Sequence, residues 1–458
     1  MNLKYLSRDL KVVWKGACTK LLKRHIGPFR KTRKWLAQTQ YFEAERLREI
    51  QLNLLKRIVK HAYETVPYYT GLMNKLGIKP GDINSLDDIR KFPIIRKADL
   101  KAAGNSLVSK KFNPFFTRTV HTGGTTGTPM PIVRNLMSIG NEHAFVRRQF
   151  DWAGVSMNDR CAYLTWRRVA APNEKYDKPY IYDPVMKELF LSTIHLAEDT
   201  IKVFADAIKA YKIKALVAYP SAAYILAKGC LGQNIPLALD VVLTTSETLD
   251  DAKRQLISKA FGCRVFDFYG NAERVCYIHT CWHGSYHIIP EYGLTELHPA
   301  ESPNEHCHRI VATGFWNMAM PLIRYDIGDL VEIRDGTTCP CGRQFPMVNR
   351  IVGRDSNFIV TPSGRTLGAM AIEYILSRVL YQMYEIPVFE GQIVQEADDL
   401  ITLEYVPMIE FGDGDAQKLI NLMREEIPAE FRVDIRRVNK VNRTPQGKFL
   451  SFIMAEHH

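Results

Sequence analysis

The chain has 458 residues, enough for about three structural units, and its 46% apolar and 24% charged content is ordinary globular composition, which excludes a disordered or fibrous protein. Its net charge of +12 is concentrated at one end: residues 1–40 hold eleven Lys and Arg against the single acid Asp9, while the other 418 residues carry 50 basic and 48 acidic groups. A body so nearly neutral argues against a nucleic-acid binder, and no nucleic-acid partner is expected.

Residues 3–22 repeat apolar side chains at spacings of three and four (Leu3, Leu6, Leu10, Val13, Ala17, Leu21), with Lys4, Arg8, Lys11, Lys15 and Lys23 largely off that stripe. The pattern predicts an amphipathic helix with a basic face, ended at Gly27-Pro28. Such a helix either packs on its own body or lies on an anionic membrane, with residues 1–36 as the contact. Phe42 to Tyr63 is again amphipathic, and Val66-Pro67-Tyr68-Tyr69 breaks it. Pro80-Gly81-Asp82 and Phe92-Pro93 mark turns.

From 118 to 352 short strands alternate with helices. Ala162–Trp166, Ala215–Ala218, Val241–Thr244 and Arg264–Phe268 read as strands; Ala197–Tyr211, Ser221–Gly232 and Leu249–Phe261 read as helices. This is an α/β pattern, in which glycine-rich loops at strand ends are the expected ligand positions. After Gly353-Arg354-Asp355 the texture changes to strands (Ile393, Val394; Leu400–Val406) with helices Met370–Tyr381 and Ala416–Glu426, a small α+β domain. The division is therefore a basic amphipathic arm (1–40), a large domain (41–353) and a C-terminal domain (354–458). No run approaches the ~20 apolar residues of a membrane-spanning helix, and residues 1–30 lack the apolar core of a secretory signal. Nine scattered cysteines suit a reducing compartment. The expected location is the cytoplasm, either free or at the inner face of the membrane.

Two clusters carry chemistry. Thr122-Gly123-Gly124-Thr125-Thr126-Gly127-Thr128-Pro129 offers glycines for close backbone approach to a polyphosphate and hydroxyls to bind it. It is not a Walker A loop, because no Gly-Lys-Ser/Thr follows. Cys339-x-Cys341 lies downstream of Cys276, His279, Cys281, His283 and His287. The preferred zinc set is Cys281, His287, Cys339 and Cys341, with Cys276 and His283 as substitutes; the alternative is reduced, partly buried thiols.

Six segments, in order, resemble the adenylate-forming superfamily of acyl-CoA synthetases and adenylation domains. They are Gly124–Pro129, Thr245-Ser246-Glu247, Tyr269-Gly270-Asn271-Ala272-Glu273, Arg324–Leu330, Gly353-Arg354 and Asn442–Lys448. Val66–Tyr69, Phe92–Lys97 and Cys339–Arg343 are similar to the phenylacetate–coenzyme A ligase family, in particular its polysaccharide-gene-cluster branch. The resemblance implies a large domain of mixed sheets and helices with a small mobile lid. It implies that a carboxylic acid attacks Mg·ATP to give an acyl-adenylate, which a thiol or amine then takes over.

On that resemblance Gly124, Thr125, Thr126 and Gly127 hold phosphates, and Ser246, Glu247, Tyr269, Gly270 and Asn271 line the adenine side. Asp329 and Arg354 hold the ribose, Glu273 holds Mg²⁺, and Lys448 bridges the attacking carboxylate and the α-phosphate. Trp166, Arg167, Tyr219 and Ser221 fall where the family builds its acyl pocket. Residues 354–357 are the expected hinge. Ala272, Thr128 and Asp355-Ser356-Asn357 depart from the family pattern. The leading expectation is an AMP-forming ligase for a small carboxylic acid. Its acceptor is either an amine (an amino acid or amino sugar, in surface polysaccharide synthesis) or coenzyme A. The alternative from another class is a non-catalytic nucleotide-binding scaffold.

Overall fold

The computed structural model describes residues 14, 16, 27–121, 130–165, 169, 178–300, 304–334, 336, 338–354, 358–364, 366–368, 372, 375–382, 386–444 and 447–455. The glycine loop (Gly124, Thr125, Thr126, Gly127), Trp166 and Arg167, the hinge residues 355–357 and nearly all of the amphipathic stretch 3–22 lie outside them. The chain forms two compact units. One comprises Val13–Ser156 and Phe268–Ile351; the other contains Met157–Asp267 and Val352–His458.

In the first unit the helix Ala44–Thr65 stops at Val66, as the sequence predicts. A new helix, Pro67–Leu76, starts at once, because a proline that cannot continue a helix suits the first position of the next. The same logic starts the helix Pro28–Thr39 at Pro28. That helix is packed: Phe29 and Leu36 are buried, and Thr32 Oγ1 donates to Asn141 Oδ1 at 2.9 Å on the helix Leu136–Trp152. The last third of the basic region thus belongs to the body.

The unit's sheet is antiparallel. Gly293–Pro299, Cys307–Gly314 and Tyr325–Ile333 are successive neighbours, then Met347–Arg354, Tyr286–Ile288 and Tyr277–Thr280. Phe268, Tyr269 and Gly270 pair with His279, Ile278 and Tyr277. A separate hairpin, Thr117–His121 against Pro131–Asn135, brackets the glycine loop. The core packs Leu55, Ile58, Tyr69 and Phe92 against Ile310, Phe315, Ile323 and Tyr325.

The second unit is built on parallel strands. Glu188–Leu191, Cys161–Leu164, Ala215–Ala218 and Val241–Thr245 lie side by side, with Tyr180–Asp183 antiparallel at the edge. These strands are buried almost throughout, as strands covered on both faces must be. Helices Ile201–Ala210, Pro220–Gly232 and Asp251–Phe261 alternate with them near the expected positions. The C-terminal part has the sheet order Arg432–Arg437, Leu400–Pro407, Val388–Ala397, Phe452–Met454 and the helix Asp413–Glu426. The expected helix Met370–Tyr381 falls partly outside the described residues, and Ser377–Gln382 is wound as a wide π turn. One apolar core runs through both segments of the unit, joining Leu216, Leu226 and Ile257 to Leu376, Leu380, Ile393 and Leu403. Among the described residues no helix is long and apolar enough to cross a membrane.

Candidate active site and metal centre

The strand Arg264–Gly270 delivers Tyr269 to a fixed place. Sixty residues later in the chain, the strand Tyr325–Ile333 delivers Asp329, and the Tyr269 hydroxyl donates to Asp329 Oδ2 at 2.6 Å. Burial, reinforced by the Asp329 charge, pushes the Tyr269 hydroxyl well above its ordinary pKa, so the phenol stays a donor. Glu273 is buried and accepts from Tyr325 Oη at 3.1 Å. Asn271 Oδ1 accepts from Val275 N at 3.1 Å and holds the turn, while its buried Nδ2 makes no hydrogen bond of ordinary geometry.

The two aspartates of Arg324-Tyr325-Asp326-Ile327-Gly328-Asp329 are sorted by their partners. Asp326 is spent on architecture, accepting from Arg309 Nη1 at 3.1 Å and Gly328 N at 3.0 Å. Arg324 is too, forking onto Glu296 at 2.8 and 3.0 Å and donating to the Phe92 carbonyl at 2.7 Å. Only Asp329 of the pair is joined to Tyr269. Sequence reasoning passed over Arg134, which donates to the Ala272 carbonyl inside the Tyr269–Glu273 segment. Burial, then the neighbouring Arg274, lowers its pKa to about 10. Nothing in the local pattern marks it, because its partner lies 138 residues away.

In the second unit, Ser246 sits in left-handed backbone at φ +71°, as do Arg274 (+59°) and Arg324 (+50°) in the first. Non-glycine residues rarely accept that conformation, and all three border motif segments. Tyr219 and Ser221 open the helix Pro220–Gly232, both buried, and Ser221 Oγ has no partner among the described residues. Arg354 ends the strand Met347–Arg354. Lys448 is half-buried in a tight turn: Gly447 N donates to Thr444 O at 2.7 Å, Thr444 N to Lys448 O at 2.9 Å, and Lys448 N to Thr444 Oγ1 at 3.1 Å. Glu247 is not open to a ligand through either oxygen alone: Oε2 accepts from Ser221 N at 3.0 Å and Oε1 from Phe449 N at 2.6 Å.

The four residues of the preferred zinc set come together. Their ligand atoms all lie within 4.8 Å of one another, with Cys281 Sγ 3.6 Å from Cys339 Sγ and Cys341 Sγ 3.4 Å from His287 Nε2. Cys281 leaves the end of the strand Tyr277–Thr280, and His287 returns on its partner Tyr286–Ile288. Cys339 and Cys341 arrive on the turn closed by Gly342 N to Cys339 O at 3.1 Å. Arg343 holds that turn down, its guanidinium 3.7 Å from the centre of the Trp152 ring. The substitutes fall away: Cys276 accepts from Thr295 Oγ1, and His283 offers only its backbone N–H, to Cys281 Sγ at 3.4 Å. The donor chemistry fits a tetrahedral cation. Burial, helped by the neighbouring Cys341 and Cys339, pushes the Cys281 thiol up to about 11, a cost that a bound cation removes by stabilising the thiolate.

No protein-family model matches the chain. Among solved structures, a 2-hydroxyisobutyryl-CoA ligase in the postadenylation state superposes with a TM-score of 0.69 at 18% identity, covering 95% of this chain and 94% of that one. The fold is that of the adenylate-forming enzymes. Protein CapK of Staphylococcus aureus is 24% identical over 420 residues, 89% of this chain and 90% of that protein. Phenylacetate-coenzyme A ligase of Thermus thermophilus is 22% identical over 436 residues, 88% and 94% of the two chains. Along most of its length the chain is similar to phenylacetate-coenzyme A ligases and to CapK.

Proposed function

We propose that the protein is an ATP-dependent, AMP-forming ligase that converts a small carboxylic acid to its acyl-adenylate and passes the acyl group to an amine or to coenzyme A. The observation that supports this most is the closed pair of Tyr269 and Asp329, two motif residues far apart in sequence and joined at 2.6 Å. Asp329, as an acceptor-only carboxylate, takes the ribose hydroxyls, and Tyr269 lies under the adenine. Thr125, Thr126 and Gly127 hold the phosphates, and Arg354 adds a ribose contact. Glu273 supplies a buried oxygen ligand for Mg²⁺, whose charge offsets that of the phosphates. Lys448 places its ammonium on the attacking carboxylate and the α-phosphate. Tyr219 and Ser221 border the acid. The Cys281, His287, Cys339, Cys341 centre holds zinc in a structural role, since four protein ligands leave no open position. An amine on an amino acid or amino sugar, in surface polysaccharide synthesis, is the favoured acceptor.

Pyrophosphate release is measured with ATP over a panel of acids including phenylacetate, with and without coenzyme A and amines. Lys448→Ala should slow acid-dependent release at least ~100-fold through loss of a transition-state charge contact. A variant that forms adenylate at the parental rate rules out this assignment.

A further inference from the structure

The side chain of Tyr219, at the N-cap of the helix Pro220–Gly232, makes no capping hydrogen bond to the first turn. The missing acceptor comes from Glu247, whose Oε2 takes the Ser221 N–H at 3.0 Å. A carboxylate there is also favoured by the helix dipole. Its other oxygen takes the N–H of Phe449, the residue after Lys448, at 2.6 Å. One carboxylate therefore ties the start of a helix at the expected acid pocket to the turn that carries the expected adenylating lysine. Gln392 grips the same turn from the other side, with Nε2 on Asn442 O at 3.1 Å and on Leu450 O, and Oε1 accepting from Asn442 N at 3.1 Å. Gln392 lies on the strand Val388–Ala397, so it orders the turn only within its own sheet. The seat is tight: a Cβ on Gly447 would meet Thr193 Oγ1 at 3.0 Å.

We infer that Glu247 is a positioning residue that docks the Lys448 turn onto the start of the helix Pro220–Gly232, rather than a nucleotide ligand. A bond to the backbone of the neighbouring residue fixes Lys448 by about one Cα–Cα step of 3.8 Å. The carboxylate form accepts both N–H groups; an amide would turn its NH₂ on one of them. The inference rests on the reading of Lys448 as the adenylating lysine.

The test has two arms on the full chain. In the first, hydrogen exchange is followed in peptides covering 447–452 for the parent and Glu247→Gln. Slow exchange at Phe449 in the parent and at least tenfold faster exchange in the variant are expected. Equal exchange, or a Phe449 amide already fast in the parent, overturns docking even if the variant folds poorly. In the second, pyrophosphate release is measured with ATP and the acid that works best for the parent. Glu247→Gln should lower kcat about 10- to 100-fold, with the ATP KM within about threefold, and should add nothing to Lys448→Ala. A raised ATP KM at unchanged kcat, or effects that multiply in the double variant, overturns the inference. If no acid supports release by the parent, the ligase reading fails and the exchange arm still decides the docking.

Discussion

The ion pair between Arg148 and Glu291 lies inside the first unit with side chains 4% and 0% exposed. The contact is forked, Nη1 to Oε1 at 2.8 Å and Nη2 to Oε2 at 3.3 Å, and Thr39 Oγ1 adds a donor to Oε1 at 2.6 Å. The guanidinium carbon lies 5.5 to 5.7 Å from the ring centres of Phe145, Trp152 and Phe345. Rings soften the cost of the cation but do not replace its counter-charge. Glu291→Gln keeps the shape and removes the charge, leaving Arg148 buried and uncompensated. The expected loss is about 3–5 kcal/mol, the range for removing one partner of a buried pair. For a unit of roughly 230 residues that corresponds to a fall of about 6–10 °C in Tm. The apolar double variant Arg148→Met with Glu291→Leu should recover most of that loss, since a buried pair is costly mainly when broken. Urea unfolding followed by tryptophan fluorescence reads all the states, because Trp152 abuts the guanidinium. A loss below about 1 kcal/mol in Glu291→Gln, or an apolar double variant no more stable than Glu291→Gln, refutes the reasoning.

The zinc assignment predicts about one metal per chain by elemental analysis, lost in Cys339→Ser and retained in Cys276→Ser; absence of metal from the parent ends it. The Lys228 ammonium donates to the Val388 carbonyl, and burial lowers its pKa from 10.5 to about 8. Below pH 8 both folded and unfolded forms are protonated, and the burial cost is fully present. Between 8 and 10.5 the unfolded chain binds more protons, so stability rises with pH. Lys228→Met should abolish that rise, and at pH 7 should gain up to about 1–3 kcal/mol less the lost hydrogen bond; denaturant midpoints from pH 7 to 10 check it. Deleting residues 1–26, which spares the packed helix Pro28–Thr39, should weaken binding to anionic liposomes and leave adenylation intact. Unchanged liposome binding would exclude the membrane contact.

Local chemistry was the legible part. The spacing of Cys339 and Cys341 with an upstream Cys and His cluster pointed to the four residues that meet. The motif order pointed to Tyr269 and Asp329, which also meet. Strands such as Ala215–Ala218 lay where the β-rich runs put them. The arrangements that were not legible depend on distant partners. Arg134 reads as an ordinary strand cation until the Ala272 carbonyl reaches it, and Glu247 as an adenine-side residue until Ser221 and Phe449 claim both oxygens. Val66-Pro67 shows where one helix must stop, but burial of Tyr69 and Met73 decides that another begins at once.

The second unit draws its core from two stretches that the ribosome makes far apart. Leu216, Leu226 and Ile257 emerge long before Leu380, Ile393 and Leu403, the side chains that complete their core. Until the last hundred residues are synthesised, that apolar surface has no native cover. The C-terminal segment is thus a folding partner as well as a carrier of Lys448. A nonsense mutation near residue 352 should yield an insoluble chain rather than a soluble, half-active one, and newly made protein should lean on chaperones until translation ends.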